Sequence, residues 1–350
     1  MRCLSLVLLA LFASFSLPGF AQQGAAPPLA ERSADAPNID RRVTLDVVVT
    51  DRAGHPITGL QQQDFTILDD KVPQTILSFL PAENAAVQAI LLLDAVNTPP
   101  QGIAYQRQQL DKFLRQDGGK LPLPMSIVLL TDTFRGQPAP TRDGNALADS
   151  LKSQQSGLRA IGTAQGFYGG VERVRICLYT LQRLTSYETT QPGRKMLIWL
   201  GPGWPLLSEP NVGLSTKQQE SLFSEVVSDS AALRAARMTL YNVGLLPMNE
   251  PLDRKFYFRD FLKGVDSANK VQNGNLAVQV LAVQSGGTVL NTSNDIGASI
   301  KTCLADAKAF YTLAFDSPAA DHPNEYHSLQ IKIDKPGLRA RTRTGYYAQP

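Results

Sequence analysis

The stretch QAILLLDAV, residues 88–96, is almost continuous apolar sequence that ends on an acid, and three more of its kind follow: MSIVLLTD (125–132), KMLIWLG (195–201) and MTLYNVGLL (238–246). Runs this short and this uniformly apolar are what strands covered on both faces require, because no alternate position is left facing water. Between them lie segments with helical spacing, at 104–114, 144–152, 171–184, 218–237 and 276–284. Strand and helix in repeated order predict a mostly parallel, doubly wound α/β sheet, here spanning residues 86–306. A further strand, GGTVLNT (286–292), and a last helix at 296–310 complete that unit.

Outward from this centre the pattern changes to alternation. VTLDVVVTD (43–51), DFTILDD (64–70) and TILSFLP (75–81) precede it, and FYTLAFDS (310–317), YHSLQIKID (326–334) and LRARTRTGYYA (338–348) follow it. These are β-branched, period-two segments with turn residues between them, which is the strand signature. Neither triplet has enough apolar surface to stand alone. They are therefore expected to pair into one antiparallel, immunoglobulin-like β-sandwich with halves at 39–85 and 307–350, the α/β unit being inserted between.

The first 21 residues, with one basic residue, an apolar run from Leu4 to Leu17 and small residues at Gly19 and Ala21, read as a secretory signal peptide. Residues 22–38, rich in Ala, Pro and polar side chains without periodicity, read as a flexible leader. No later stretch approaches the roughly 20 apolar residues needed to span a bilayer. The expectation is an exported protein of the periplasm or the extracellular space. Cleavage removes Arg2 alone from 34 Lys and Arg, against 31 Asp and Glu, so the mature chain is close to neutral. With no run of like charge, nucleic acid is not an expected partner. Cys177 and Cys303 are the cysteines left after cleavage. They form either a disulfide in an oxidising compartment or two buried thiols.

The loop ILLLDAVNT (90–98) and the opening VVVTDRAGHPITGLQQQDFTILDD (47–70) resemble von Willebrand factor A-type domains, and more narrowly the A-related secreted proteins of acidobacteria. The resemblance runs from Val43 to Ala348 and takes in QSGGTVLNTSND (284–295) and PGLRARTRTGYY (336–347). It implies a doubly wound α/β domain and a role in binding, with no partner named. In typical members the loop after the first buried strand reads Asp-x-Ser-x-Ser, and its oxygens, with a Thr and an Asp from later loops, hold magnesium in near-octahedral coordination. Here Asp94 keeps the first position, Val96 stands at the first serine and Thr98 at the second. Asn97 lends a carbonyl, and Thr163 in IGTAQGFYGG (161–170) is the third-loop threonine by chain order. The strand that should bring the second acid ends LIWLGPGWP (197–205), without a carboxylate. The resemblance thus implies a degenerate metal site.

In open α/β sheets ligands sit beyond the carboxyl ends of the strands, which places Asp94, Asn97, Thr98, Asp132, Thr163 and Trp204 as candidate binding residues. Trp204 either anchors a partner or folds back over the core. Asp94 and Asp132 each have a plainer reading, as a loop cap and a solvated carboxylate. The segment PLDRKFYFRDFLKG (251–264) is a partner surface or a packed lid. Catalytic constellations are lacking. His55 lies in a turn, and His322 and His327 have no zinc spacing and fall on different faces of an alternating strand. The leading expectation is a non-catalytic binding module that engages a protein partner through the carboxyl edge of the sheet, with no cofactor. The alternative is metal-dependent adhesion with magnesium on Asp94, Thr98 and Thr163. A hydrolase using Asp94 or Asp132 as base is the remote third.

Overall fold

The computed structural model describes residues 41–132, 136–154, 167–206, 213–244, 256–291 and 293–350. The chain opens with β1 (Arg42–Thr50), β2 (Phe65–Asp69), β3 (Val72–Gln74) and β4 (Ser78–Pro81). The α/β layer follows: β5 (Val87–Asp94), α1 (Pro100–Leu114), β6 (Lys120–Leu130), β7 (Thr141–Asp143), α2 (Gly144–Ser153), α3 (Phe167–Thr189), β8 (Arg194–Leu200), α4 (Thr216–Ala235), β9 (Met238–Val243), α5 (Val278–Gln284), β10 (Val289–Leu290) and α6 (Ile296–Ala305). Four strands close it: β11 (Phe310–Asp316), β12 (Glu325–Ile333), β13 (Arg339–Arg341) and β14 (Gly345–Ala348).

The central sheet has the order β10-β9-β8-β5-β6-β7, parallel except for the edge strand β7. Strand order reverses beside β5, which hydrogen-bonds to β6 on one side and β8 on the other. That is the switch point at which doubly wound sheets present their binding crevice. Period-two geometry divides β5 between two cores. Ala89, Leu91 and Leu93 pack with Leu110, Phe113, Leu147 and Ile300. Ile90 and Leu92 pack with Leu181, Leu233, Leu281 and Trp199. Each fully buried leucine contributes roughly 2 kcal/mol of transfer free energy.

Local chemistry sets the helix starts. Pro100 occupies the first turn of α1, Asp143 accepts from Ala146 N at 3.0 Å before α2, and Ser215 with Gln218 forms a capping box on α4. Cys177 belongs to the cluster on one face of the sheet and Cys303 to the cluster on the other, and both are free thiols. A bridge between them would have to pass through the sheet. The disulfide expectation is corrected, and both cysteines are buried packing groups.

The terminal strands form two four-stranded antiparallel sheets, β13-β1-β11-β4 and β14-β12-β2-β3. Each joins strands from the two ends of the chain, Val43 facing Phe315 and Ile67 facing Ile331. Their apolar faces share one cluster containing Leu45, Val47, Phe65, Ile67, Leu313 and Tyr346. One segment expected as a single strand divides between the sheets. Residues 338–348 give β13, paired with β1, and β14, paired with β12. Ahead of β4, β3 (Val72–Gln74) returns on β2, and β4 (Ser78–Pro81) crosses to β11.

Polar groups tie these sheets to the α/β layer. The Arg237 guanidinium contacts Asp46 Oδ1 at 2.6 Å, and Thr312 Oγ1 donates to the same oxygen at 2.7 Å. Asp306 accepts from Tyr241 Oη at 2.7 Å and pairs with Arg341, while Arg194 donates to Tyr241 Oη at 3.0 Å. The described residues accordingly form one compact unit. No helix among the described residues is long and apolar enough to cross a membrane.

Candidate functional site

Strand β5 delivers Asp94 to the carboxyl edge of the sheet, at the switch point, with no exposure to solvent. Its Oδ1 accepts from Val96 N at 3.1 Å, Asn97 N at 2.9 Å and Asn97 Nδ2 at 3.1 Å. Its Oδ2 accepts from Trp199 Nε1 and from Asn97 Nδ2, each at 3.0 Å. Burial pushes this carboxyl above the ordinary carboxylate range, and the N–H donors pull the other way. Asn97 Nδ2 also reaches Cys177 Sγ at 3.2 Å, tying the loop to α3, and burial pushes that thiol up, so it is no nucleophile.

The exposed counterpart of this cradle lies beside it. Helix α3 descends to the start of β8, so its first turns stand at the carboxyl edge, and α4, which follows β8, starts there too. Between them is a cavity of about 720 Å³ whose walls include Val171, Val174, Leu178, Leu214, Leu222 and Leu276. Its lip is apolar and accessible: of the lining residues, Tyr179 is 53% exposed and Val171 37%. Arg175 and Glu225 add one charge of each sign to the lining.

No protein-family model matches this chain, and no curated protein does. Solved structures do match in part. Human COPII-coat protein Sec24c shares 10% identity over 76% of this chain and 44% of its own, with a TM-score of 0.33. Manganese-loaded TRAP protein from Plasmodium vivax shares 10% over 77% of this chain and 97% of its own, at 0.32. The pilus adhesin SpaC from Lactobacillus rhamnosus GG shares 10% over 87% of this chain and 43% of its own, at 0.36. At such identities and scores neither family nor function carries across, and the site rests on its own geometry.

That geometry does not fit magnesium at Asp94. Both carboxylate oxygens already accept from N–H donors, and a cation would have to displace the indole and amide hydrogens from a site with one formal charge. Thr98 Oγ1 and Asn97 Oδ1 are buried near it without hydrogen-bond partners, but neither adds charge. Thr163 lies outside the described residues. Asp132 is exposed, beyond the end of β6.

Trp204 is corrected as a partner anchor. It is 6% exposed, meets Trp199 edge-to-face at 5.4 Å and donates Nε1–H to Leu276 O at 3.1 Å, so it folds back over the core. In the segment after residue 255, Phe258 and Phe261 are buried against Ala277 and Val280, the arrangement of a packed lid. The exposed residues of α3 escaped the sequence reading. Tyr168, Val171, Arg175 and Tyr179 recur at helical spacing, and that stripe is their signal.

Gly201 holds the cradle closed. Its φ is +149°, and a Cβ there would stand 2.7 Å from Asp94 Cβ and 3.1 Å from Thr98 Oγ1. Gly201→Ala is expected to cost about 2–4 kcal/mol, through backbone strain and displacement of the Asp94 side chain. Urea unfolding followed by tryptophan fluorescence measures it, and an unchanged midpoint would show that the loop yields freely.

Proposed function

We propose that this protein is an exported, non-catalytic binding module of the von Willebrand A type, in line with the narrower secreted group its sequence resembles. In this reading it captures a protein partner on the groove between α3 and α4, at the carboxyl edge of the sheet. The antiparallel sheets, as an immunoglobulin-like sandwich, serve as its support. The observation that carries this is the accessible lip of Val171 and Tyr179 around an apolar groove. Aromatic and aliphatic anchors beside a pocket, bordered by polar groups, are what protein interfaces concentrate their affinity on. Asp94 is the buried post that ties the neighbouring loop to α3 through Asn97, and takes no part in direct contact.

The test uses a Val171→Glu/Tyr179→Glu double variant of the full chain. Both positions are partly exposed, so the melting temperature is expected to stay within a few degrees of the parent. Capture of the partner from envelope extracts of the native host is expected to fall by tenfold or more, about 1.4 kcal/mol at least. Undiminished capture by a folded double variant would place the interface elsewhere.

A further inference from the structure

On the antiparallel sheets, the hairpin turn after β2 and the strand β12 bring three ligand-bearing side chains together. Asp69, the last residue of β2, is 1% exposed. Asp70 and Lys71 make the turn with φ of 46° and 71°. His327, 6% exposed, stands opposite Tyr346 of β14 and stacks on its ring at 5.1 Å. Its Nδ1 lies 3.0 Å from Asp69 Oδ1 and 3.7 Å from Asp70 Oδ2, and one ligand atom from each of the three residues falls within 4.8 Å of the others.

The remaining carboxylate oxygens are held by other donors. Asp69 Oδ2 accepts from Tyr346 Oη at 2.6 Å, and that hydroxyl lies 2.7 Å from Ser317 Oγ. Asp70 Oδ1 accepts from Ser328 N at 2.9 Å and Ser328 Oγ at 2.7 Å. Each acid is thus fixed through one oxygen and turns the other toward the imidazole. On the far side of the ring, His327 Nε2 is buried without a hydrogen-bond partner, 4.0 Å from Glu325 Oε1. Three carboxylates surround one imidazole, and among the described residues none of the three is paired with Lys or Arg.

A neutral imidazole that donates Nδ1–H to Asp69 leaves a bare Nε2 lone pair buried and facing a carboxylate, which is an electrostatic mismatch. A cation on Nδ1 removes it: the ring proton moves to Nε2 and points toward Glu325, as outer carboxylates orient metal-bound histidines. Separations of 3.0 and 3.7 Å are close to those of neighbouring ligands around an ion with bonds of about 2.0–2.2 Å. We propose that Asp69 Oδ1, Asp70 Oδ2 and His327 Nδ1 bind a first-row divalent cation, with zinc the preferred ion. Mixed nitrogen and oxygen ligands favour zinc over magnesium or calcium, and Asp70, whose side chain is 53% exposed, leaves a position open to water. The ion would staple the β2–β3 turn to β12, independently of the α3–α4 groove.

The full chain, stripped with chelator, is titrated with zinc chloride by calorimetry, and cobalt(II) absorption supplies a second signal. One ion per chain at micromolar affinity is expected. Asp70→Asn, which preserves the oxygen facing Ser328, and Glu325→Gln are each expected to weaken binding by roughly tenfold or more. His327→Gln should abolish it, while a His55→Ala/His322→Ala variant retains it. Silence of the parent protein toward zinc, or equal affinity in the parent and the folded Asp70→Asn variant, overturns the proposal.

Discussion

Asp94→Ala is expected to lower the unfolding free energy by about 3–5 kcal/mol, measured by urea denaturation, and by the same amount in magnesium and in EDTA. The carboxylate satisfies the backbone N–H groups of Val96 and Asn97, the Asn97 amide and the Trp199 indole. Alanine orphans these buried donors, and each unsatisfied one costs about 1–3 kcal/mol. Relaxation of the loop recovers part of that, while loosening the Asn97 contact with Cys177 on α3. Asp94→Asn should fall between, since one oxygen survives but its new amide confronts donors. A metal ligand behaves differently: its loss matters only when metal is present. If the alanine variant matches the parent in EDTA and loses only a magnesium-induced gain, Asp94 is a ligand and the structural role assigned to it fails.

The same residue shows what was legible in the sequence. The apolar run from Ala89 to Leu93 located the central strand, the switch point and the buried acid, because strands covered on both faces leave an unmistakable composition. The carboxylate's partners were not legible. Trp199 lies 105 residues away on β8, and nothing local marks an indole as a hydrogen-bond donor to Asp94. For Trp204, which follows a strand among prolines, the sequence leaves a partner anchor and a core residue equally open. Its burial depends on Leu276, 72 residues further on. The terminal segments were recognisable as strands, but Leu338 to Ala348 concealed the bend that sends β13 and β14 to different sheets. Alternation reports which face is apolar and is silent about which neighbour a strand takes. His327 was dismissed by its spacing from other histidines. Its acids come from β2, 258 residues earlier, through a register that only the folded sheet defines.

The stability of Asp229→Asn relative to the parent is expected to rise with pH between 5 and 8.5, ending about 3 kcal/mol in the variant's favour. Asp229 sits on α4 at 5% exposure, its Oδ2 has no hydrogen-bond partner among the described residues, and no ion pair to it occurs there. Burial, with the nearby Glu225 charge adding to it, pushes the carboxyl up to about 8 from an ordinary 3.8. The folded protein therefore holds a proton that the unfolded chain has released. Asp229 exacts nothing below about pH 4, where both states are protonated. Its penalty grows through the interval and is complete once pH passes about 8. Roughly four pH units at about 1.36 kcal/mol each bound the penalty near 6 kcal/mol. The asparagine amide also lacks a partner, which halves the net gain. Within the window the variant should be slightly the less stable protein at pH 5, match the parent near about pH 6, and lead it by about 3 kcal/mol at pH 8.5. Parallel curves across that range would mean that Asp229 stays ionised in the fold, held by a cation-bearing partner outside the described residues.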